Sequence, residues 1–150
     1  MSENPVFYWD IMSQPSRAIK VLLDIGQIPC KYVHIDLSKR STRNPEYLRL
    51  NPFGKIPLLI HGEFKLSESD AIMKYLYEKY SKIPRTYYGT TPEERGYVNQ
   101  YLSWYQWQFR TKMVKYLFMA LGVMFTGKPM YQNQVDIFLK EMHEVMLELN

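Results

Sequence analysis

Ser13 is the first residue whose type and position could do chemistry. It stands where a short apolar segment gives way to Gln14-Pro15-Ser16-Arg17, and a proline here is typical of the first turn of a helix. A hydroxyl at the amino end of a helix, together with the N–H groups there, can stabilise an anion such as a thiolate or a phosphate. The same hydroxyl can instead serve only as the cap of its own helix. The local sequence leaves both interpretations open.

A second candidate lies in the segment Asn51-Pro52-Phe53-Gly54-Lys55-Ile56-Pro57. Pro57 cannot donate a ladder hydrogen bond, so near the start of an apolar strand it requires an edge, a bulge or a cis peptide bond. The backbone of Ile56 would then be available to an extended, peptide-like ligand. An ordinary edge strand is the alternative explanation.

A third candidate is the segment Leu66-Ser67-Glu68-Ser69-Asp70-Ala71-Ile72. Ser67 and Asp70 have the spacing of a capping box, which predicts a helix that begins here. Glu68 and Ser69 would lie in its first turn, where N–H and hydroxyl donors meet a ligand carboxylate and an acidic side chain meets an ammonium group. Both are also ordinary first-turn residues, so a purely structural role is the alternative.

Histidine and cysteine do not have the spacing of a metal or redox site. His34, His61 and His143 are far apart, and Cys30 is the only cysteine. We therefore expect no metal ion, no internal disulfide and no dithiol centre. A lone cysteine fits a reducing compartment, and the chain shows neither a signal segment nor an apolar run of bilayer length. These features predict a cytoplasmic protein with no membrane contact.

The composition narrows the classes of function. The 150 residues carry a formal net charge of +4, 46% are hydrophobic and 15% are aromatic. Such a chain is globular, which excludes low complexity and general disorder. The positive surplus is too mild to indicate a nucleic-acid partner. The many rings favour a pocket or a subunit contact.

The elements that must position the candidates alternate in the first half of the chain. Short apolar runs and helical periods between Pro5 and Tyr80 predict the order β-α-β-α-β-β-α. The stretch from Ser81 to Pro92 has the prolines, glycine and small polar residues of a linker. We therefore predict an α/β domain at residues 1–82, a linker at 83–91 and a helical domain at 92–150.

The second half of the chain shows only helical patterns. Thr91-Pro92 is typical of a helix start, and an apolar stripe at helical spacing follows. Gly122, Gly127 and Pro129 are expected to interrupt the helix, and a second stripe covers residues 135–149. Two such helices leave apolar faces without partners, so we expect this domain to be incomplete. The first stripe comprises Val98, Tyr101, Leu102, Tyr105 and Phe109.

The three candidate segments occur in the order and approximate spacing found in glutathione S-transferases, and the theta-like branch is the most similar. The resemblance covers residues 6–80 and continues more weakly through Tyr101-Leu102-Ser103-Trp104 and Arg110. It implies a thioredoxin-like domain followed by an all-helical domain, a homodimer, and an active site between the domains. Glutathione is implied as the co-substrate and a small hydrophobic electrophile as the second substrate.

The resemblance also implies a role for each matching residue. Ser13 would donate a hydrogen bond to the glutathione sulfur, and Arg110 would be a cationic neighbour of that sulfur. Ile56 would bind the cysteinyl part through its backbone, exposed by a cis peptide bond to Pro57. The remaining glutathione contacts would be Glu68 and Ser69 at the γ-glutamyl end, with Lys55 and Arg43 near the glycyl carboxylate. The electrophile would lie against Met12, Tyr105, Trp107 and Phe109.

Two segments depart from the theta-like pattern. The loop Ser38-Lys39-Arg40-Ser41-Thr42-Arg43 lacks the histidine common there, and Val98-Asn99-Gln100 lacks acidic residues. The resulting hypothesis is a transferase that ionises the glutathione thiol for conjugation and, as a second reaction, for peroxide reduction. The alternative is a non-catalytic binding or interaction module with the same fold. A thioredoxin-like redox protein is disfavoured because Cys30 has no partner cysteine.

Overall fold

A computed structural model of the protein describes residues 4–126 and 131–148. The chain divides into two compact units, one that ends at Thr90 and one that begins at Thr91.

A four-stranded mixed sheet forms the centre of the first unit. Its strands are β1 (Val6–Trp9), β2 (Lys31–His34), β3 (Leu58–His61) and β4 (Phe64–Ser67). They lie in the order β2-β1-β3-β4, with β1 parallel to β2, antiparallel to β3, and β3 antiparallel to β4. Three helices complete the unit: α1 (Gln14–Ile25), α2 (Pro45–Leu50) and α3 (Ser69–Lys79). The predicted order β-α-β-α-β-β-α and the thioredoxin-like fold are confirmed.

The core of this unit lies between the sheet and the helices α1 and α3. Phe7 and Leu59 are opposite each other on adjacent strands and are fully buried. Ile19 and Leu23 present one face of α1 to them, since residues four apart share a helix face. Burial of each such side chain contributes about 1.5–3 kcal/mol. On the other side of the sheet, the Tyr47 ring of α2 lies 6.0 Å from that of Tyr8.

The segment predicted as a linker packs against the first unit. Ile83 is fully buried in the same core. The Tyr77 hydroxyl donates to the C=O groups of Arg85 (2.6 Å) and Gly89 (3.2 Å), and the Arg85 guanidinium lies 4.9 Å from the centre of the Tyr77 ring. A short 3₁₀ turn covers Arg85–Tyr87. Residues 83–90 are therefore held by a buried side chain and by hydrogen bonds, which their proline-rich composition did not indicate.

Helices alone make up the described part of the second unit. They are α4 (Pro92–Trp104), a π-helical segment (Tyr105–Arg110), α5 (Thr111–Thr126) and α6 (Gln132–Leu147). The predicted start is confirmed: Thr91 Oγ1 accepts from the Glu94 N–H, and the Glu94 carboxylate accepts from the Thr91 N–H, both at 3.2 Å. The predicted interruption at Gly122 is wrong because α5 continues through it. One interior glycine costs about 1 kcal/mol, which a long apolar helix tolerates. Gly127, Pro129 and Leu149 lie outside the described residues.

A π-helical segment lies within the predicted apolar stripe, and the aromatic rings of the stripe still follow one another across it. The Tyr101 ring stacks on that of Tyr105 at 6.2 Å, and the Tyr105 ring stacks on that of Phe109. Thr111 Oγ1 donates to the Gln106 C=O (3.0 Å) just where normal helical geometry resumes. Trp107 is 80% exposed, whereas Val145 of α6 is buried. Across residues 4–126 and 131–148, no helix combines the length and the apolar character needed to cross a membrane.

Candidate functional site

Ser13 sits at the amino end of α1 and caps it. Its Oγ accepts from the Ser16 N–H (3.3 Å) and from the Ser16 hydroxyl (2.9 Å). Both contacts use oxygen lone pairs, so the Ser13 hydroxyl still has a hydrogen to donate. The residue is only 8% exposed, which keeps the hydroxyl in a partly desolvated position. The two interpretations of Ser13, as a cap and as a donor to an anion, are therefore compatible.

The turn that carries Ser13 is held by Asp10, which immediately follows β1. The Ser13 N–H donates to the Asp10 C=O (3.1 Å), and the Met12 N–H donates to Asp10 Oδ1 (2.8 Å). Asp10 Oδ2 accepts from the Leu37 N–H (2.9 Å) of the segment after β2. The sequence did not single out Asp10. The only available signal was an acidic residue directly after an apolar strand.

Ile56 precedes β3 and has unpaired backbone groups. The Ile56–Pro57 peptide bond is cis, and ladder pairing of β3 begins only at Leu58. Within the two described ranges, neither the N–H nor the C=O of Ile56 has a hydrogen-bond partner. The alternative explanation, an ordinary edge strand, is excluded because β3 lies between β1 and β4. The exposed backbone belongs instead to the loop that leads into an interior strand.

Two buried side chains fix the loop that precedes Ile56. The Tyr47 hydroxyl (2.6 Å) and Asn51 Nδ2 (2.7 Å) both donate to the Lys55 C=O. Burial raises the pKa of Tyr47 to about 12, so the phenol remains a hydrogen-bond donor at any ordinary pH. Both residues were missed as part of the candidate site. An amide directly after a short helix was the signal for Asn51.

Of the basic residues predicted near the glycyl carboxylate, Lys55 belongs to this loop and Arg43 to the 3₁₀ turn that packs against it. Lys55 and Arg43 are both exposed. Gly54 has φ +59°, and a Cβ added there would lie 3.0 Å from Arg43 Nη1 and 3.2 Å from the Thr42 C=O. The loop therefore packs directly against the 3₁₀ turn Ser41–Arg43. This packing brings the Arg43 guanidinium next to the residue that precedes Lys55.

Glu68 and Ser69 lie at the amino end of α3, but the predicted capping box is wrong. Ser67 is the last residue of β4 and pairs with Leu58, so the cap position falls to Glu68. Glu68 has φ 68° and ψ 118°, and its side chain makes no capping hydrogen bond. Such a conformation costs a non-glycine residue about 1–3 kcal/mol, and it is found most often at functional sites. The exposed carboxylate of Glu68 and the buried Ser69 thus start the helix together.

The strand register brings these three segments to one end of the sheet. Leu58 pairs with Tyr8 on one side and with Ser67 on the other. The chain therefore leaves β1 toward Ser13, enters β3 from Ile56 and leaves β4 toward Glu68 at the same end. A hydroxyl at a helix start, an unpaired backbone and a free carboxylate are thereby gathered into one region. Such a set suits a ligand with a peptide backbone, an ammonium group and an ionisable thiol.

The other predicted contacts are divided between the two units. Met12 belongs to the Ser13 turn and is 69% exposed. Arg110 is the last residue of the π-helical segment, and its Nη1 donates to Gln106 Oε1 (3.0 Å). The aromatic residues predicted to meet the electrophile are Tyr105 and Phe109, whose rings stack at 5.5 Å, and the exposed Trp107. Their place in the second unit leaves their roles as predictions.

Cys30 is remote from Ser13 and chemically passive. It follows the carboxyl end of α1, whereas Ser13 caps the amino end, and a helix of 12 residues is about 18 Å long. Burial raises the pKa of the Cys30 thiol to about 11, against a weaker opposing effect of Lys20. The described residues contain no group of three or more His, Cys, Asp or Glu side chains that could hold a metal ion. Because Cys30 is remote, a reaction that uses a thiol near Ser13 requires a ligand that carries the thiol.

Several known proteins are similar to this chain in sequence. Residues 4–78 match the family described as "Glutathione S-transferase, N-terminal domain". The chain is 32% identical over 143 residues to glutathione S-transferase theta-1 of Homo sapiens, which covers 95% of the chain and 59% of that protein. It is 43% identical over 95 residues to glutathione S-transferase F10 of Arabidopsis thaliana, which covers 63% of the chain and 44% of that protein. The chain thus spans about half the length of these relatives.

Solved structures of glutathione transferases are similar to this chain in fold. The apo form of human glutathione S-transferase T1-1 superposes with a TM-score of 0.88 at 31% identity, over 97% of this chain and 61% of that one. A human theta-class glutathione transferase, solved in complex with the glutathione conjugate of 1-menaphthyl sulfate, gives a TM-score of 0.87 at 29% identity. That match covers 97% of this chain and 59% of that one.

Proposed function

The chain belongs to the glutathione S-transferase family and is theta-like, and from this premise we propose that it transfers glutathione to small hydrophobic electrophiles. In this proposal Ser13 keeps the glutathione sulfur ionised for attack. Reduction of organic peroxides by the same thiolate is a second proposed reaction. The protein contributes orientation and anion stabilisation, and the nucleophile belongs to the tripeptide.

The observation that carries the proposal is the juxtaposition of Ser13, Ile56 and Glu68 at one end of the sheet. An extended tripeptide that pairs with the Ile56 backbone would place its ammonium group toward the Glu68 carboxylate. Its thiol would then point toward the start of α1. Each contact uses a group with spare hydrogen-bonding capacity, so binding need not disrupt the fold.

The energy required for thiol ionisation is within reach of the groups at Ser13. A free thiol has a pKa of roughly 8.5 and is mostly protonated at neutral pH. Lowering that pKa by about 2 units corresponds to about 2.7 kcal/mol. A charge-assisted hydrogen bond contributes about 1.5–3 kcal/mol. The helix dipole contributes about 0.3–1 kcal/mol more, so the two together suffice.

The direct test has two measurements on the purified chain: retention on immobilised glutathione, and glutathione-dependent turnover of an activated aryl halide or an epoxide. We expect both. Retention without turnover would instead support the non-catalytic binding module, and failure of both would remove every glutathione-based function.

Replacement of Ser13 tests whether its hydroxyl acts on the glutathione sulfur. Ser13→Ala removes the cap and the donor, whereas Ser13→Thr keeps a hydroxyl at the same position. We expect turnover by S13A to fall about 10²–10³-fold, the usual loss for one anion-stabilising donor. Glutathione affinity should change little, and S13T should retain most of the activity. Wild-type turnover by S13A would leave Ser13 as a cap alone.

The second unit and the assembly need their own tests. We propose that Arg110 further stabilises the sulfur anion and that Tyr105, Trp107 and Phe109 contact the electrophile with Met12. Arg110→Lys keeps the charge but loses the planar guanidinium, so partial activity of this variant together with an inactive Arg110→Ala would support an electrostatic role. A homodimer remains a prediction, which sedimentation of the purified chain can check.

A further inference from the structure

We propose that Asp10 is a positioning residue that sets the orientation of the Ser13 hydroxyl, an inference that rests on the proposed role of Ser13 in glutathione transfer. Asp10 is 3% exposed and directly follows β1. Its C=O accepts from the Ser13 N–H at 3.1 Å, and its Oδ1 accepts from the Met12 N–H at 2.8 Å. Both contacts lie within the turn that presents Ser13.

The second carboxylate oxygen ties this turn to a distant part of the chain. Asp10 Oδ2 accepts from the Leu37 N–H at 2.9 Å and lies 3.4 Å from Nε2 of His34, the last residue of β2. Each oxygen of the carboxylate thus accepts a backbone N–H, one from each loop. A neutral amide cannot replace it, because the NH₂ group of asparagine would face one of these donors.

The double role of the Ser13 hydroxyl explains why its turn must be held in a fixed position. Ser13 must aim one hydrogen at a sulfur while its lone pairs cap α1, so a small rotation of the turn would misdirect the donor. Misplacement of a reacting group by about 1 Å can cost about a hundredfold in rate. Asp10 is buried and its carboxylate contacts two backbone N–H groups and the His34 ring, so it acts through the turn.

The direction in which Asp10→Asn shifts the pKa of the bound thiol distinguishes a positioning role from a direct electrostatic effect of the carboxylate. Loss of a negative charge near the sulfur would favour the thiolate and lower the pKa of the bound thiol. Loss of a positioning contact would weaken the hydrogen bond from Ser13 and raise that pKa. The two explanations therefore predict opposite shifts for Asp10→Asn.

The experiment measures the pKa of glutathione bound to the full chain, from the ultraviolet absorbance of its thiolate as a function of pH. We expect Asp10→Asn to raise this pKa by about one unit, a tenfold change in the ionisation constant of the bound thiol. The dissociation constant for glutathione should stay within about twofold of the wild type. Asp36→Asn is the matched control, since Asp36 is less buried and its carboxylate contacts Ser38 and Lys39 of its own turn, through their N–H groups, the Ser38 hydroxyl and the Lys39 ammonium group. It should shift neither quantity.

A double variant tests whether Asp10 works through Ser13. In the Ser13→Ala background, Asp10→Asn should cause no further shift, because the hydroxyl it positions is gone. An additive shift, or an unchanged thiol pKa in folded Asp10→Asn, would overturn the inference. If the wild-type chain shows no glutathione thiolate at all, the proposed function itself has failed. If S13A loses the thiolate while D10N keeps it, only the role of Asp10 has failed.

A second variant covers the case in which D10N does not fold. Asp10→Glu keeps the charge and both acceptor oxygens but moves them by one methylene, so it should raise the thiol pKa by a smaller amount. A wild-type thiol pKa in folded D10E, or failure of both variants to fold, would make Asp10 a residue of folding alone and overturn the inference.

Discussion

At the scale of single residues, Ser13 shows that structural and chemical roles can share one side chain. Its lone pairs accept from Ser16 while its hydrogen remains available. The helix that it caps also presents the positive end of its dipole to the same place, so a cap that stabilises α1 is also suited to an anion. Glu68 differs, because its conformation is unfavourable for the fold and its carboxylate does not cap its helix.

Two substitutions at Glu68 separate conformational strain from binding. Glu68→Gly removes the cost of the positive φ and so raises the free energy of unfolding. Glycine also gives the unfolded chain more conformational entropy, which limits this gain to about 1 kcal/mol at most. Glu68→Gln keeps the backbone and removes the charge, so stability should hold. Glutathione affinity should fall at least about tenfold in both, the value of a charged hydrogen bond. Thermal unfolding and calorimetric titration measure these quantities, and wild-type affinity in E68Q would refute the contact with the ammonium group.

The reactivity of Cys30 follows from its raised pKa. Because burial raises the pKa of this thiol from 9.0 to about 11, the folded chain holds about a hundredfold less Cys30 thiolate than the unfolded chain at the same pH below 9. Alkylation by iodoacetamide should be slower by about tenfold in the folded chain, because the higher nucleophilicity of a thiolate of raised pKa offsets part of its lower fraction. The chain unfolded in urea is the reference. Equal rates would show that the Cys30 thiol is accessible and that its pKa is not raised in the folded chain.

At the scale of elements, the pairing register of the strands, more than any single helix, brings the residues of the candidate site together. The interior strand β3 pairs with β1 and β4 so that three loops meet at one end of the sheet. Hydrogen bonds from Tyr47 and Asn51 to the Lys55 C=O fix the loop that leads into β3, and the loop packs against the turn at Arg43. Its backbone is therefore held in place before any ligand arrives, which lowers the cost of binding.

A pair of glycine substitutions tests this loop. Gly54→Ala places a Cβ at φ +59° within 3.2 Å of the Thr42 C=O, so we expect a loss of about 1–2 kcal/mol in unfolding free energy. Glutathione binding should weaken as Ile56 shifts. Gly96→Ala is the control, because a Cβ on this exposed turn of α4 meets nothing within 4 Å. It should stabilise the chain by up to about 1 kcal/mol and leave binding unchanged. Equal binding by both variants would argue against a rigid loop.

At the scale of the whole molecule, the two units differ in how much core the described residues provide. Among the residues whose burial the structure describes, all the buried hydrophobic side chains except Val145 lie in the first unit. The described helices of the second unit expose large side chains such as Tyr97, Trp107 and Leu147. The first unit also contains every glutathione contact proposed above except Arg110.

This difference predicts that the first unit folds on its own and that the second does not. Residues 1–90 expressed alone should unfold cooperatively and keep the near-ultraviolet circular dichroism of packed aromatic rings, because their core is internal. Residues 91–150 alone should show helical signal without a cooperative transition. Thermal unfolding of both fragments decides this, and a cooperative transition in the second fragment would contradict the prediction. Glutathione should raise the melting temperature of the first fragment.

The sequence by itself determined the order of strands and helices in the first unit, the start of α4 at Thr91-Pro92 and the family. These features depend on local spacing, on turn chemistry and on residue types within short segments. The positions of Ser13, Ile56 and Glu68 were accessible for the same reason. Their proposed roles came from a resemblance.

Only the tertiary structure decided how those residues meet. The contact of Asp10 with Leu37 joins residues 27 positions apart, and no local pattern encodes it. Strand register moved Ser67 into β4 and made β3 an interior strand, because pairing partners come from elsewhere in the chain. Ile83 likewise drew a linker-like segment into the core through packing that its composition does not reveal. Long-range hydrogen bonds and packing, which short segments do not contain, assembled the candidate site.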